Sequence, residues 1–399
     1  MIDLDTARQR LLKLLVPLPT ERIKLNQALG RVAADAVCSA IHLPRFDNSA
    51  MDGYAVRAED TTKASAESPV TLQLIGEAPA GCVFAGELIP GTSVRVFTGS
   101  PLPKGANAVV MQEDIERYSS SCIRVREAIT PWESVRFQGE DVKLGASVIT
   151  PGTRVSIGHI ALLAACGIDS LEVRRQPRVA LLTTGTELRP PGTLLGPGEI
   201  YESNSVALGS LVQRAGGIPV PQPHVGDDRR AIAAALRTAF EKADVVLTAG
   251  GASVGDHDLV RDALTDIGGS VEFWRIAMKP GKPFFHGRWL GKTLLGVPGN
   301  PVSAVVTALM LVHPALRQLQ GDADVSPPQT RGLLVEPVVN RDKRRHFMRV
   351  QVDAAGRVCL TGVQASHVLS SLARANGVMD VPPETTLPSG TMVTVYHLA

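Results

Sequence analysis

The sequence predicts a multidomain protein of the α/β plus β class, in which one doubly wound α/β domain is flanked by strand-rich modules. The chain has 399 residues, too many for a single ordinary core, and favours roughly two to four domains. Between about 178 and 318, apolar strand candidates alternate with helical segments, which is typical of a mostly parallel sheet. On both sides of this region, short alternating apolar runs separated by Gly and Pro indicate β structure.

The composition argues against several classes of protein. The formal net charge is only +2, so neither nucleic acid nor an anionic membrane is expected as a partner. The longest basic run, 341–346, is short and interrupted, and we interpret it as the solvated end of a hairpin. Five scattered cysteines without a Cys-x-x-Cys pair are typical of a reducing compartment. No apolar stretch approaches ~20 residues and the N-terminus is acidic, so we expect a cytoplasmic protein.

The first half of the chain is predicted to be mostly β structure between two helices. An amphipathic pattern over 3–15 predicts a helix that ends before Pro17. The clearest strands of the turn-rich region that follows are predicted at 70–75, 93–97 and 108–111. Ser156 then precedes an apolar run over 157–166 that is closed by Gly167, which predicts a capped helix.

The second half has the α/β pattern. Strands are predicted at 178–184, 244–248, 271–277 and 293–297, and helices from about 205 to 216, from Asp227 or Asp228 to 242, and from Pro301 to about 318. Ligands of such sheets bind beyond the carboxyl ends of the strands. A polar, proline-containing linker at 321–328 leads into a last strand-rich segment, which predicts a small β-domain.

Glycine turns and carboxylates follow these strands. Gly250, Gly251, Ser253 and Gly255 offer backbone amides and a hydroxyl to an anion, and Asp256 and Asp258 come next. Carboxylates repel anions unless a cation or a proton stands between them, so the stretch indicates a phosphate-like group together with a divalent metal. A glycine-rich turn with acids that cap the next helix is an equally good interpretation of this stretch alone.

Three further turns at strand ends carry polar groups. Lys279 and Lys282 lie among prolines, which stiffen the loop, and compact ammonium groups suit oxyanions. Asn300 is expected as the N-cap of the helix that begins at Pro301. The turn at 183–187 delivers hydroxyls and the carboxylate of Glu187. Each turn could be an ordinary solvated turn, but together they favour a ligand site.

Missing motifs narrow the chemistry. The sequence contains neither a Walker P-loop nor a Gly-x-Gly-x-x-Gly turn after a strand, and it lacks a His-x-x-x-His pair and a Gly-x-Ser-x-Gly elbow. Metal-assisted chemistry on a phosphorylated ligand remains. One string, Phe-Asp-Asn-Ser-Ala-Met-Asp-Gly-Tyr-Ala at 46–55, has no helical or strand period, and it could be a structural turn or part of a site.

Seven motifs resemble signatures of the molybdopterin molybdenumtransferase family. They occur in order along the whole chain at 46–56, 97–103, 108–114, 184–188, 250–258, 278–283 and 298–303. The resemblance implies an enzyme that inserts molybdate, its substrate, into adenylylated molybdopterin and releases AMP with Mg²⁺. It further implies a homodimer whose cleft lies between one subunit's α/β domain and its partner's N-terminal part. The molybdopterin adenylyltransferase is a further possible partner.

The resemblance also implies four domains. They are an elongated N-terminal domain at 1–45 and 138–176, an inserted β-rich domain at 46–137, an α/β molybdopterin-binding domain at 177–326 and a C-terminal β-barrel at 327–399.

By the same resemblance, the named residues acquire roles. The glycine turn would cradle the phosphate-bearing end of the pterin, and Asp256, Asp258 or Glu187 would hold magnesium. Lys279 and Lys282 would neutralise pyrophosphate or molybdate, and Asp52 and Thr98 would line the cleft from the other subunit. The residues implied to contact substrate are Gly250, Gly251, Ser253, Gly255, Ser203, Asn204, Pro298, Asn300 and Ser303. Arg345, Arg349 and Ser370 resemble family positions near the cleft.

One position departs from the pattern, and three other functions compete with the transferase. Relatives often carry Asp where this chain has Thr186, which would remove one candidate metal ligand and weaken the role of Glu187. The competing functions are a non-catalytic molybdopterin-binding scaffold like the gephyrin end domain, the related adenylyltransferase, and a nucleotide amidase with a similar domain. The adenylyltransferase shares only the α/β domain and lacks the segment that corresponds to 46–114 of this chain. The amidase needs an additional amidase domain, which this sequence does not show.

Overall fold

A six-stranded sheet forms the centre of the protein in the computed structural model, which describes residues 1–250 and 259–398. Four neighbouring strands are parallel, and the last two join the sheet in antiparallel orientation. In spatial order they are Ile218–Pro221, Arg178–Thr183, Val245–Ala249, Lys292–Val297, Phe285–Trp289 and Ser270–Trp274. The predicted doubly wound domain is confirmed.

Both faces of this sheet are covered. In the strand Arg178–Thr183, Val179 and Leu181 belong to one hydrophobic core, while Ala180 and Leu182 belong to another on the opposite face. Because successive side chains of a strand point to opposite faces, such a strand is apolar throughout. The helices that cover the two faces are Asn204–Arg214, Arg229–Lys242, Leu259–Asp266, Pro301–Thr307 and His313–Leu319.

Helix capping follows the sequence closely. Asp228 is the N-cap of Arg229–Lys242 and accepts the Ala231 N–H at 2.6 Å. Pro301 occupies the first turn of its helix, as predicted. A π-helical segment, Ala308–Val312, joins this helix to the next one. Among the described residues, the combined stretch Pro301–Leu319 is long and apolar enough to cross a membrane, but 89% of its most apolar window is buried inside the protein. We therefore describe it as a core helix.

The strand Phe285–Trp289 was missed by the sequence interpretation. Its interior, His-Gly-Arg, shows neither an apolar run nor clear alternation. The structure buries Phe285 and His286 on this strand. Because one of these two buried residues is polar, the sequence shows no pattern of apolar residues here. Strand type here follows from pairing with its antiparallel neighbours, a tertiary effect.

Two distant segments form the elongated N-terminal part. Thr20–Lys24 pairs with Ser170–Arg174, and Val37–Cys38 pairs with Ser147–Ile149, both in antiparallel orientation. The helix Ile157–Ala165 begins with a capping box between Ser156 and His159. This pairing brings together the segments before 45 and after 138, although the domain boundaries themselves stay a prediction.

The first helix, Leu4–Lys13, packs elsewhere. Its residues Leu4, Ala7 and Leu11 are fully buried in the core that lies on one face of the central sheet. Although it belongs to the N-terminal segment in sequence, it thus completes the α/β core.

A second six-stranded sheet forms the inserted β-rich region. Its strands, in spatial order, are Ala108–Met111, Gly53–Val56, Thr92–Val96, Val70–Ala78, Cys122–Val125 and Ile115–Ser119. The antiparallel pair Asn48–Ser49 and Val135–Arg136 joins this region to the elongated part. Short 3₁₀ turns lie at Leu25–Gln27, Ala58–Thr61 and Gln112–Asp114.

The C-terminal segment is a closed five-stranded barrel, as predicted. Its strands, in order around the barrel, are Arg345–Val352, Arg357–Leu360, Gln329–Leu334, Met392–His397 and Gly377–Val381, and the last pairs with the first. The remaining short elements are the helix Leu369–Ala373 and the strand pairs Val338–Asn340 with Thr385–Leu387 and Leu188–Arg189 with Ile200–Tyr201.

Asp322 connects three parts of the molecule. Its carboxylate accepts hydrogen bonds from Nε and Nη2 of Arg154, at 3.2 and 2.9 Å, and lies 3.2 Å from Nη1 of Arg317. Arg154 belongs to the elongated part, Arg317 to a helix of the α/β domain and Asp322 to the linker toward the barrel. Burial raises the pKa of Asp322 although Arg154 favours its charged form.

His286 is a buried titratable group in the central sheet. It is fully buried, and burial lowers its pKa to about 4 from an ordinary value of 6.5. The folded state therefore holds it neutral while the unfolded chain binds a proton as the pH falls below about 6.5. The contribution to stability is complete above that pH and is lost progressively between pH 6.5 and 4.

We predict that His286→Leu makes unfolding less sensitive to acid. The wild-type free energy of unfolding should lose about 2 kcal/mol between pH 7 and pH 5 through this residue, and the variant should not. Urea unfolding at the two pH values measures the difference. The exposed His367→Leu serves as the control; equal pH dependence in the two variants would contradict the prediction.

Candidate functional site

Three parallel strands end at the same edge of the central sheet, and a polar turn follows each of them. Thr184 and Gly185 follow the first strand, Gly250 the second, and Pro298 with Gly299 the third. These turns line a cavity of about 650 Å³, which we call the acidic cavity. Its walls are Thr184, Gly185, Glu187, Leu188, Ile200, Tyr201, Glu202, Ser203, Asn204, Asp227, Ala249, Gly250, Pro283, Pro298, Gly299, Asn300 and Pro301.

Three carboxylates line the acidic cavity, and their hydrogen bonds distinguish them. Glu202 accepts hydrogen bonds from the N–H and the hydroxyl of Ser205, so it is used within the start of its helix. Asp227 accepts hydrogen bonds from Thr186. Glu187 lies over Gly185, where a Cβ would be 2.7 Å from its Oε2 atom. Glu187 was predicted; Asp227 and Glu202 were not, although the pair Asp227-Asp228 before a helix was a signal for one of them.

Gly250 allows the second strand to turn close against the first. Its φ is +92°, and a Cβ at this position would lie 2.4 Å from the carbonyl oxygen of Thr184. Only glycine fits such a close approach at a left-handed φ. The predicted residues Gly251, Ser253, Gly255, Asp256 and Asp258 lie outside the described residues.

The third turn reaches the cavity through Pro298 and Asn300. Asn300 is the N-cap residue of the following helix, but its side chain makes no capping bond; Nδ2 donates to Oγ of Ser366 at 3.2 Å instead. Ser303, also expected near substrate, is 4% exposed and is not part of the cavity wall.

Ser203 and Asn204 lie on the cavity wall, as expected. Nδ2 of Asn204 donates to the carbonyl oxygen of Gly299 at 2.8 Å and thereby joins two of the turns. Within the described part of the chain, the Oδ1 atom of the same side chain is buried without a hydrogen-bond partner. A buried amide oxygen in this state is suited to accept a donor from a ligand.

The loop 278–283, which we call the lysine loop, runs between two cavities. Pro283 lines the acidic cavity, whereas Lys279 lines a second cavity of about 520 Å³ together with Arg341, Asp342 and His346. The structure therefore does not place Lys279 on the wall that carries Glu187. For Lys282, the carbonyl oxygen accepts the N–H of Ile276 at 3.0 Å.

Lys279 has a charged partner that the sequence did not indicate. Its Nζ atom lies 3.7 Å from Oδ2 of Asp342. Hydrogen bonds from Arg344 hold the pKa of Asp342 well below its usual range, and Lys279 adds to this effect. His346 is 6% exposed in the same cavity, and burial lowers its pKa to about 4, so it is neutral at pH 7.

The barrel and the helix that begins at Pro301 pack against the lysine loop. Met278 and Lys279 pair in parallel with Arg345 and His346 of the barrel. At Gly281, where φ is +118°, a Cβ would lie 2.3 Å from Oγ1 of Thr307.

The N-terminus contacts the residues just before the lysine loop. The N–H of Ile2 donates to the carbonyl oxygen of Arg275 at 3.1 Å, and the N–H of Ala277 donates to that of Ile2 at 2.8 Å. These distant contacts could not be read from the sequence.

Asp52 and Thr98 lie together but away from the acidic cavity. The N–H and the hydroxyl of Thr98 donate to Oδ1 of Asp52 at 2.8 and 2.9 Å. The backbone bond, followed by the hydroxyl bond, lowers the pKa of Asp52 and keeps it ionised. No residue before Thr184 lines the acidic cavity in the described chain, so these two side chains are not part of its wall.

Comparisons with known proteins cover the whole architecture. Residues 2–167 match the MoeA N-terminal region (domain I and II), residues 180–318 a probable molybdopterin binding domain, and residues 332–398 the MoeA C-terminal region (domain IV). The chain is 40% identical over 383 residues to molybdopterin molybdenumtransferase 2 of Mycobacterium tuberculosis, with 94% of each protein covered. The chain belongs to the molybdopterin molybdenumtransferase family. Members of this family are transferase enzymes of molybdenum cofactor biosynthesis.

Other members agree in length and fold. Molybdopterin molybdenumtransferase of Haemophilus influenzae is 36% identical, with 94% of this chain and 93% of the relative covered. The crystal structure of the molybdopterin biosynthesis protein moeA from Pyrococcus horikoshii OT3 covers 100% of both chains at 30% identity, with a TM-score of 0.87. The full-length match to molybdenumtransferases disfavours the adenylyltransferase, which has only the α/β domain, and the amidase, which needs another domain.

In the structure, the basic run 341–346 is more than a solvated hairpin end. Arg345 forms ion pairs with Asp380 and with Asp5, the latter at 2.7 Å, and His346 is buried. The hairpin interpretation is therefore wrong for the second half of the run. The reason is that these residues open a barrel strand that pairs with Met278–Lys279 and with Gly377–Val381, and Arg345 reaches acids near both ends of the chain.

Two of the C-terminal residues that resemble family positions differ in their surroundings. Arg349 is fully buried, and its Nε atom donates to Oγ of Ser371 at 2.9 Å. Ser370 precedes Ser371 in the chain, and the carbonyl oxygen of Ser370 accepts a hydrogen bond from Nε of Arg374. In the described structure, Arg349 thus supports the barrel rather than lining either cavity.

The donor atoms of the acidic cavity are compatible with magnesium. In the described residues, no cluster of three or more His, Cys, Asp or Glu side chains is arranged as a metal site. Glu187 and Asp227 nonetheless offer carboxylate oxygens on the same cavity wall, and Mg²⁺ prefers oxygen ligands and keeps several waters. Because two predicted ligands, Asp256 and Asp258, lie outside the described residues, the magnesium site stays a prediction.

We predict that Gly250→Ala destabilises the protein by more than the left-handed φ alone requires. A left-handed alanine costs about 1–2 kcal/mol, and the approach to Thr184 adds a steric cost. Gly268→Ala is the matched control, because Gly268 has φ +86° with no atom within 4 Å of the added Cβ. Thermal unfolding of both variants measures the difference; equal midpoints would refute the steric argument.

Proposed function

We propose that the protein inserts molybdate into adenylylated molybdopterin and releases AMP, in the cytoplasm and with Mg²⁺. The observation that carries the proposal is the acidic cavity, in which three glycine- or proline-bearing turns meet two available carboxylates at the ends of parallel strands. Backbone amides at such turns suit phosphate oxygens. The names of the relatives indicate the substrate class, and the turns and carboxylates of the cavity are suited to bind a phosphate group and a cation.

The acidic cavity would bind the phosphate-bearing end of the substrate. Gly250 presents backbone at close range. The unpaired Oδ1 of Asn204 would accept a hydrogen bond from a donor group elsewhere on the substrate, because phosphate oxygens are themselves acceptors. Glu187 and Asp227 would hold Mg²⁺, together with Asp256 or Asp258, which lie outside the described residues. A bound Mg²⁺ would supply charge neutralisation at pyrophosphate oxygens. The protein's own contribution is to fix these carboxylates and to orient the phosphate.

The lysine loop would neutralise the second anion. Molybdate and the pyrophosphate group repel each other, so a positive charge is needed where they meet. Lys279 lies 3.7 Å from Asp342, close enough to be oriented and yet 42% exposed, so it can exchange this partner for an oxyanion. Lys282 lies beside Pro283, which lines the acidic cavity, and this places the loop between the two binding regions.

A homodimer would bring Asp52 and Thr98 to the cavity. In one subunit these residues form their own hydrogen-bonded pair and do not line the acidic cavity. If both sets act in one reaction, a second copy must supply one of them. Thr98 holds Asp52 ionised, so that pair would offer an oriented carboxylate from the partner subunit. The adenylyltransferase would hand over the adenylylated pterin.

AMP release tests the proposed reaction. Wild-type protein given adenylylated molybdopterin and Mg²⁺ should release AMP only when molybdate is added. Asp52→Asn and Glu187→Gln should each lower the rate by roughly 10²-fold or more if the carboxylate acts in the transition state. Release without molybdate dependence would contradict the transferase, and tight pterin binding without release would favour the scaffold.

Mixed dimers test the shared cleft. Neither Asp52→Asn nor Glu187→Gln should be active alone, but equal amounts refolded together should recover about a quarter of wild-type activity. Half of the randomly formed dimers are then mixed, and each mixed dimer contains one intact cleft. Mixing two preparations of Glu187→Gln is the control. No recovery in mixed dimers verified by mass would show that both residues act within one subunit.

A further inference from the structure

Thr186 and Asp227 are joined by reciprocal hydrogen bonds at the wall of the acidic cavity. The N–H and the hydroxyl of Thr186 donate to Oδ2 of Asp227 at 3.1 and 3.0 Å. The N–H of Asp227 in turn donates to Oγ1 of Thr186 at 3.1 Å. The hydroxyl of Thr186 thus accepts from the backbone and donates to the carboxylate of the same residue.

The hydrogen bonds between Thr186 and Asp227 orient the Asp227 carboxylate more than they hold the backbone of the loop that carries it. Two backbone hydrogen bonds already join the segment that carries Thr186 to the one that carries Asp227. The N–H of Gly185 donates to the carbonyl oxygen of Val225 at 3.0 Å, and the N–H of Val225 donates to that of Thr183 at 3.0 Å. Asp228 is separately fixed as the N-cap of the next helix. The backbone around Asp227 is therefore held on both sides without Thr186. The side-chain torsion of Asp227 depends on the threonine.

Both bonds from Thr186 converge on one carboxylate oxygen. Oδ2 of Asp227 is occupied, and Oδ1 is the oxygen that can face a ligand in the cavity that Asp227 lines. Glu187 follows Thr186 directly in the chain, so the same turn places a second carboxylate on that wall. Two acids on one wall repel each other, and hydrogen bonds to one of them offset part of that cost before a cation arrives.

We infer that Thr186 is a positioning residue that pre-orients Asp227 for a divalent cation in the acidic cavity. The inference rests on the proposed function for the use of that cation. It predicts that the hydroxyl, rather than the shape of the side chain, determines cation affinity. Outer hydrogen-bond partners of metal ligands typically change affinity by about 10–100-fold when they are removed.

Three single variants test the inference. Thr186→Val keeps the shape and the backbone N–H but removes the hydroxyl, and Thr186→Ser restores it. Thr193→Val is the matched control, because Thr193 lies in a nearby exposed loop where its hydroxyl donates only to the carbonyl oxygen of Pro190. Mn²⁺ is the probe, since it takes the same oxygen ligands as Mg²⁺ and is observed directly by electron paramagnetic resonance.

Thr186→Val should weaken Mn²⁺ binding to the full-length protein by about tenfold, with Thr186→Ser and Thr193→Val within about twofold of wild type. Thermal unfolding without metal should be similar for all of them. In the Asp227→Asn background, Thr186→Val should have no further effect on Mn²⁺ binding, because the hydroxyl then has no carboxylate to orient. A purely structural role would instead lower the unfolding midpoint and add to the effect of Asp227→Asn.

The outcomes separate this inference from the proposed reaction. Three results would overturn the positioning role of Thr186. They are wild-type Mn²⁺ affinity in Thr186→Val, an equal effect of Thr186→Val with Asp227 present and with Asp227→Asn, and no Mn²⁺ binding to the wild type. The predicted pattern of affinities in a protein that releases no AMP with molybdate would support the positioning role and refute the transferase reaction.

Discussion

The parallel alignment of three buried strands is the constraint on which the site depends. Arg178–Thr183, Val245–Ala249 and Lys292–Val297 are hydrogen-bonded side by side in the same direction, with helices on both faces. Parallel strands end at the same edge, so the turns after them must meet there. Because both faces are apolar, polar residues of these segments are confined largely to the strand ends. The acidic cavity is the space enclosed by those ends.

A second constraint joins the domains to the chemistry. The lysine loop pairs with the barrel strand Arg345–Val352, and Ile2 bridges Ile276 just before the loop. Arg345 forms ion pairs with Asp5 and Asp380. Asp322 adds a separate connection between the elongated part, the linker and the α/β domain. The barrel and the N-terminus are thus part of the support of Lys279. The barrel and the N-terminus affect the position of the lysine loop although both are distant from it in the sequence.

The carboxylates illustrate how hydrogen bonding assigns roles to similar residues. Glu202 is held by Ser205, Asp342 by Arg344, and Asp52 by Thr98, so each is oriented by a different neighbour. Asp227 is oriented by Thr186, which donates to it through both its N–H and its hydroxyl. A carboxylate at position 186 would repel Asp227, whereas the threonine hydroxyl donates a hydrogen bond to it.

The sequence alone determined the fold class, most strands and helices of the α/β domain, and the turns that carry Glu187, Gly250, Asn300 and Lys279, because these depend on local periodicity, capping and glycine geometry. It also pointed to the family through motifs that are contiguous in the chain. Only the tertiary structure decided that Lys279 and Glu187 line different cavities, that Asp52 stands apart from both, and that Thr186 orients Asp227. The buried strand Phe285–Trp289 and the packing of Leu4–Lys13 against the α/β core belong to the same group. These features depend on which distant segments pack together, and no local pattern encodes that choice.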